Sequence, residues 1–377
     1  MIVLLISVLV IVMSLAYAAL MIFLKSGWEK LGLFVPQREK FRTKVSVLIA
    51  ARNEENNIEH TISDILLQDY PSELFELIVV DDHSTDRTAE IIQSYASKGV
   101  KLIRLNEGEM LNSYKKKAIT EAIELSEGDL IVTTDADCRM SAKWLSTIVD
   151  FYESGDYKLI SSPVSYFQER NIFEKIQSIE FMFLVGLGAA GIGNKIPSTC
   201  NGANLAYRRD VFYELKGFQN IDDLASGDDE LFMHKVAQAY PGKIGFCKSR
   251  NAIVYTHAKS NLRSFIQQRK RWASKSTKYK NKLIVLLAAS VWTYNLLFIL
   301  NALAGFFNPF YWQLCLFSLI FKTIAELIFL IPLSNFSNKG TLFRYLPILV
   351  VLHIFYLIFI GIAGNSGKYN WKGRMVR

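Results

Sequence analysis

Residues 129–138 read DLIVTTDADC, a short apolar run that ends in two carboxylates one residue apart. Leu130–Thr134 has the length and composition of a buried strand, which puts Asp135 and Asp137 in the loop at its carboxyl end. Ligands of open α/β sheets sit outside that end of the strands. Two acids flanking a small alanine suit a hard divalent cation that brings phosphate and water oxygens with it. Taken alone, the pair also fits a solvated turn, so the surrounding segments decide between the two.

Upstream, KVSVLIAA (44–51), FELIVVDD (75–82) and VKLIRL (100–105) are further apolar runs without alternation. That is the pattern of parallel strands buried on both faces. Helical stretches follow them at about 58–68, 88–98 and 113–126, with another at 142–152 after the fourth strand. Alternating strands and helices predict a doubly wound α/β half-domain. Arg52-Asn53-Glu54-Glu55, Asp81 to Asp86 and Asp135-Ala136-Asp137 then converge at neighbouring strand ends. Ser84-Thr85-Asp86 also fits a helix N-cap. No glycine-rich phosphate loop follows any strand, which argues against a Rossmann dinucleotide site and a Walker-type ATPase.

Residues 2–23 carry no charge and exceed the roughly 20 residues needed to span a bilayer. Without a basic region before it, this segment reads as an uncleaved anchor rather than a signal peptide. Apolar segments recur at about 283–307, 311–333 and 344–363, the middle one holding Lys322 and Glu326 on one helical face. The net charge of +8 is concentrated locally: Lys259 to Lys282 contains nine Lys/Arg and no acid. Lys25, Lys30, Arg38, Lys40, Arg42 and Lys44 flank the first span. Positive flanks mark the cytoplasmic side, so the expectation is a multi-pass cell-membrane protein with residues 25–282 in the cytoplasm. The basic cluster abuts the membrane and no nucleic-acid motif accompanies it. It therefore points to anionic lipid or a phosphate-bearing substrate, not nucleic acid. The expected organisation is an anchor (1–24), a catalytic domain (41–282), a membrane region of about three helices (283–366) and a basic tail (367–377). Four spans would put that tail outside, against the positive-inside rule; one re-entrant segment would resolve the conflict. Cys138, Cys200, Cys247 and Cys315 show no paired spacing for zinc or disulfides.

Further constellations lie downstream. In Asn201-Gly202-Ala203-Asn204 the glycine permits close backbone approach to a ligand. Ser226-Gly227-Asp228-Asp229-Glu230 opens a helical run, either as acids favoured by the helix dipole or as a general base. Gln268, Arg271 and Trp272 share a face of a helix through 262–276. There Arg could clamp a diphosphate and Trp could stack on a sugar or base; a solvated basic helix is the alternative. Residues 172–190 read as an interfacial helix or a buried one.

In order, IAARNEENN, VVDDHSTDRT, TTDADC, CNGANLAYRRDVF, SGDDELF and QQRKRW resemble the successive signatures of membrane-bound family-2 glycosyltransferases of the GT-A fold. The resemblance spans about 45–275, and Trp371-Lys372-Gly373-Arg374 is similar to the endings of such proteins. It implies a mostly parallel nucleotide-sugar-binding sheet with flanking helices, and transmembrane helices at both ends. It also implies inverting transfer of a sugar from a UDP- or GDP-sugar donor to a hydroxyl. By resemblance, Asp135 and Asp137 hold Mg²⁺ or Mn²⁺ on the donor diphosphate, and Arg52, Glu54 and Asp82 match positions around the nucleoside. Lys115 matches a lysine ahead of the crossover helix, within the triplet Lys115-Lys116-Lys117. The family's E-D motif stands here as Asp228-Asp229, with Asp229 matching the base. Gln268, Arg271 and Trp272 match Q-x-x-R-W, which closes over diphosphate and acceptor. The expected acceptor is a lipid or lipid-linked glycan. A processive polysaccharide synthase is the competing enzyme, and a non-catalytic membrane scaffold is the competing class.

Overall fold

The computed structural model describes residues 1–106, 113–224, 226–279, 281–364, 369–371 and 374–376. The first strands are β1 (Val45–Ala51), β2 (Phe75–Asp81), β3 (Val100–Arg104), β4 (Leu130–Asp135), β5 (Arg139–Met140) and β6 (Leu159–Ser161). They are followed by β7 (Val164–Tyr166), β8 (Leu205–Arg208), β9 (Ile244–Phe246), β10 (Val254–Thr256), β11 (Tyr369–Trp371) and β12 (Arg374–Val376). The helices are α1 (Ile2–Lys30), α2 (Ile58–Leu66), α3 (Thr88–Ser94), α4 (Tyr114–Glu124), α5 (Trp144–Glu153) and α6 (Ile172–Gly193). After them come α7 (Arg209–Glu214), α8 (Glu230–Ala239), α9 (Leu262–Ser274), α10 (Lys282–Ala304), α11 (Phe310–Ser337) and α12 (Leu346–Ala363). The chain divides into two compact units. A helical unit comprises Met1–Lys30, Glu169–Ala190 and Lys259–Gly367, and a sheet unit comprises Leu31–Gln168, Gly191–Ala258 and Lys368–Arg377.

The sheet unit is built on seven strands in the order β3-β2-β1-β4-β8-β6-β9. The run β3-β2-β1-β4 is parallel, as the unalternating apolar strands require. β8 is antiparallel to both β4 and β6, and β9 runs parallel to β6. Register is what builds the site. Ala51 lies beside Asp81 and Ala50 beside Asp135, so the loops after β1, β2 and β4 leave from one edge. Leu205 at the start of β8 pairs with Thr133, which brings the Gly202–Asn204 turn to that same edge. One face of the sheet is closed by α4, whose Ala118, Ile119, Ala122 and Ile123 bury against Leu48, Ile78, Val80 and Ile131. Phe212, Phe218, Phe232 and Met233 extend this core. Gly128 is required by space: a Cβ there would lie 2.4 Å from the Ser46 backbone nitrogen.

α2 ends sooner than its periodicity predicts because Gln68 is used as a bracket. Its Nε2 donates to the Asp64 and Ser141 carbonyls, both at 2.8 Å, and its Oε1 accepts from the Leu145 amide at 2.8 Å. A second sheet, β5-β10-β7, completes the unit.

Among the described residues, five helical stretches are long and apolar enough to cross a membrane. They are Val3–Lys30, Ile172–Gly193, Lys282–Ala304, Phe310–Ser337 and Gly340–Ala363. Within the helical unit Lys322 and Glu326 are both buried and paired with each other, as their spacing predicts. Tyr17 of α1 donates to Glu326 Oε1 at 2.7 Å and stacks on Tyr294 of α10 at 5.2 Å. The two charges are thus neutralised inside the bundle and tie three helices together. Of the two readings of residues 172–190, the structure takes the buried one. Phe183 packs edge-on against Phe329, and a Cβ on Gly186 would sit 2.3 Å from Leu333 of α11.

Candidate active site

Asp135 closes β4 and remains partly exposed, its side chain 40% accessible. The turn that carries Ala136 and Asp137 is pinned from below. Thr61 of α2, fully buried, directs its Oγ1 at the Ala136 and Cys138 carbonyls at 2.9 and 2.8 Å. Arg139 then fastens to Asp64 by two bonds of 2.6 and 2.9 Å. The Asp135–Asp137 turn is therefore held rigidly against α2.

The other two strand-end loops are laced to each other. Arg52 Nη1 donates to the Asp82 and His83 carbonyls at 2.7 and 3.0 Å. Asn53 and His83 adopt left-handed backbone angles, with φ of 50° and 53°. Asn53 Oδ1 accepts from the Thr85 amide at 2.8 Å, and the Ser84 hydroxyl accepts from the Asn53 amide at 3.0 Å. Asp82, buried, lies 3.1 Å from His83 Nδ1. Glu54 accepts from Asn57 Nδ2 at 2.9 Å. None of the three residues read as a helix cap holds that position, which falls to Arg87; Asp86, one residue earlier, accepts from the Thr88 amide at 3.0 Å.

Asp228 and Asp229 precede α8. Asp229 is its N-cap, with Oδ1 accepting from the Glu230 amide at 2.7 Å. Its Oδ2 accepts from the Gly202 amide at 3.0 Å, so of the two readings the helix-start one describes this residue's place in the fold. A Cβ at Gly202 would lie 3.3 Å from Asp228 Oδ2 and from Asp229 Cβ, and the close approach read from Asn201-Gly202 is toward this acid pair. Asn204 has a structural task that the motif concealed. Fully buried, it accepts from Trp144 Nε1 at 3.0 Å and donates to the Pro163 and Ala252 carbonyls at 2.7 and 2.8 Å.

The lysine triplet of α4 divides into three jobs. Lys115 Nζ lies 2.8 Å from Asp135 Oδ1 and 3.4 Å from Asp228 Oδ2. Burial opposes its charge, but Asp135, Asp228 and Asp229 outweigh burial and hold the ammonium far above its ordinary range. Lys116 turns to the backbone, donating to the carbonyls of Ile221, Leu224 (2.7 Å) and Ser226 (2.8 Å). Burial pushes it down to about 8, against the pull of Asp228, Asp229, Asp223 and Asp222. Lys117 pairs with Glu121 at 3.1 Å on the surface.

Gln268, Arg271 and Trp272 fall on α9 in the helical unit. There the buried cation is Arg269, which the motif did not single out. It is bonded to Glu180 at 2.6–3.2 Å and to Gln268 Oε1 at 2.7 Å. Its guanidinium lies 4.2 Å from the Trp272 ring centroid and 4.5 Å from that of Phe265. The signal was available: Phe265 and Trp272 stand at i−4 and i+3 from it. Of the terminal motif, Lys372 and Gly373 lie outside the described residues.

No group of three His, Cys, Asp or Glu side chains able to hold a metal occurs among the described residues. Two hard oxygen donors at Asp135 and Asp137 fit a cation whose remaining ligands come from a phosphate and water.

The parallel sheet, its reversal at β8 and the acid-lined edge define a GT-A type α/β domain. A mannosyltransferase from Pyrobaculum calidifontis, solved with GDP-mannose and Mn²⁺, shares the fold at a TM-score of 0.62 and 19% identity, over 96% of this chain and 99% of that one. Residues 46–216 match the family model "Glycosyl transferase family 2", and this segment is a family-2 glycosyltransferase domain. Among curated relatives, a beta-monoglucosyldiacylglycerol synthase of a Nostoc species is 30% identical over 29% of this chain and 23% of that protein. A glucosyl-dolichyl phosphate glucuronosyltransferase of Haloferax volcanii is 27% identical over 51% of this chain and 61% of that protein. The chain thus spans less than two thirds of the length of these relatives.

Proposed function

We propose that the protein transfers a sugar from a UDP- or GDP-sugar to a hydroxyl of a membrane lipid or lipid-linked glycan, with inversion at the anomeric carbon. One observation carries the reading: Lys115 touches both Asp135 and Asp228, so the acid at the end of β4 and the acid pair before α8 meet at one point. Asp229 removes the acceptor hydroxyl proton as its oxygen attacks the anomeric carbon. The bond from that carbon to the diphosphate breaks, and nucleoside diphosphate leaves. Two backbone amides fix the Asp229 carboxylate for this task, and Asp228 stands beside it. Asp135 and Asp137 would hold Mg²⁺ or Mn²⁺, which when bound neutralises charge on the leaving diphosphate. Arg52, Glu54 and Asp82 are assigned to the nucleoside. On their motif, Gln268, Arg271 and Trp272 are assigned to the diphosphate and acceptor. The names of the two relatives, a monoglucosyldiacylglycerol synthase and a glucosyl-dolichyl phosphate glucuronosyltransferase, support a lipid-linked acceptor here. The five apolar stretches and the basic flanks support a multi-pass protein of the cell membrane with its transferase domain on the cytoplasmic side.

A panel of UDP- and GDP-sugars, each with and without Mn²⁺ or Mg²⁺, tests the reading by thermal denaturation. One donor is expected to raise the unfolding midpoint in a metal-dependent way, because a ligand bound only to the native state stabilises by mass action. Asp137→Ala is expected to abolish that metal dependence. A midpoint indifferent to every donor would refute the proposal. Donor binding without turnover would instead favour a scaffold, and long polymer from the pure protein a processive synthase.

A further inference from the structure

Lys116 has no part in the chemistry above, yet its position is an expensive one. It is 2% exposed and stands in the first turn of α4, where a positive charge opposes the helix dipole. No acid accompanies it in that turn. A buried ammonium needs all three of its donors satisfied. Lys116 satisfies them on three carbonyls, those of Ile221, Leu224 and Ser226. These carbonyls belong to the segment that leads through Gly227, at φ +89°, into Asp228-Asp229. The preceding residue, Lys115, grips the Asp228 side chain and Asp135. Two consecutive lysines of one helix turn thus hold the same acid pair, one by its carboxylate and the other by the backbone ahead of it.

We propose that Lys116 is a positioning residue for the transfer, gathering the backbone before Asp228-Asp229 so that Asp229 reaches the acceptor hydroxyl. The assignment rests on the reading of Asp229 as the base. Lys116 itself touches neither donor nor acceptor. Its loss should therefore lower the rate at saturating donor and leave donor affinity nearly unchanged.

The test compares wild type with Lys116→Met and Lys116→Gln in detergent–lipid micelles. Nucleoside diphosphate release is followed with the donor that stabilises the wild type, Mn²⁺ and an extract of membrane lipids. Lys116→Met should lose at least ~10-fold in kcat with donor Kd within about twofold, and Lys116→Gln, which keeps two donors, should fall between it and wild type. Amide hydrogen exchange should rise in peptides covering 219–231 and stay level in those covering β1, β2 and β4. A kcat within twofold of wild type, or a loss confined to thermal stability, overturns the proposal. So does failure of both variants to fold, which would make Lys116 a folding residue. A wild type inactive with every donor sinks the transferase reading instead, and the local rise in exchange would still be expected.

Discussion

Asp229 receives hydrogen bonds on both carboxylate oxygens, from the Gly202 amide at 3.0 Å and the Glu230 amide at 2.7 Å. Such a carboxylate has little rotational freedom, which is what a base needs to meet one particular proton. Replacing it by asparagine keeps the size and one acceptor oxygen but removes the proton-accepting charge. The amide's NH₂ would also face one of the two backbone amides, so a local shift is expected as well. Asp229→Asn should therefore reduce transfer by at least ~100-fold, the scale of a general base. Donor affinity should persist, because Arg52, Asp82 and Asp135 are untouched. Isothermal titration with the donor and Mn²⁺ beside a turnover assay separates the two quantities. Loss of donor binding in this variant would mean that Asp229 holds the donor rather than the acceptor. The nearby glycine fits the same account: any side chain at 202 would crowd both acids at 3.3 Å.

At the scale of elements, the Asp135–Asp137 turn depends on α2. Thr61 directs its hydroxyl at the Ala136 and Cys138 carbonyls, beside the Arg139–Asp64 pair just after the turn. Thr61→Val keeps the shape and withdraws the donor, leaving buried carbonyls short of a partner. A loss of about 1–3 kcal/mol in stability is expected. More tellingly, the Mn²⁺ concentration needed for donor-dependent stabilisation should rise several-fold, because the turn can then drift. If stability falls while the metal midpoint stays put, Thr61 serves the fold alone. The sequence made β1, β2 and β4 legible because each is a long apolar run followed by a polar turn. It did not reveal β6 to β10, each of only three or four residues, whose pairing joins segments far apart in the chain. The same division holds in the site. Asp135, Asp228 and Asp229 were readable as motif positions. The split of tasks among Lys115, Lys116 and Lys117 was not, because neighbours on one helix turn point to different places, and only the packed loop shows which lysine meets which partner. Arg269 is legible only in part: its aromatic neighbours Phe265 and Trp272 stand within one helix turn, but its buried partner Glu180 lies on a different helix.

For the whole molecule, counting apolar helices overstates the number of crossings. α6 has 22 residues, about 33 Å at 1.5 Å each, enough to span a bilayer. Yet β8, which follows α6, pairs on one side with β4 and on the other with β6, both of which precede it. A crossing by α6 would put parts of one sheet on opposite faces of the membrane, so α6 leaves the sheet unit and returns to it on the same side. The topology proposed above, resting on the basic residues after α1 and before α10, assigns that side to the cytoplasm. Single cysteines in a background lacking Cys200 report on this directly. Glu39→Cys and Asn220→Cys, on either side of α6 in sequence and both exposed, should react with an impermeant maleimide only in inside-out vesicles. Phe307→Cys, 93% exposed between α10 and α11, should react only in right-side-out vesicles. Labelling of positions 39 and 220 from opposite faces would contradict the pairing of β8. Labelling of both from outside would leave the sheet intact and overturn the cytoplasmic assignment.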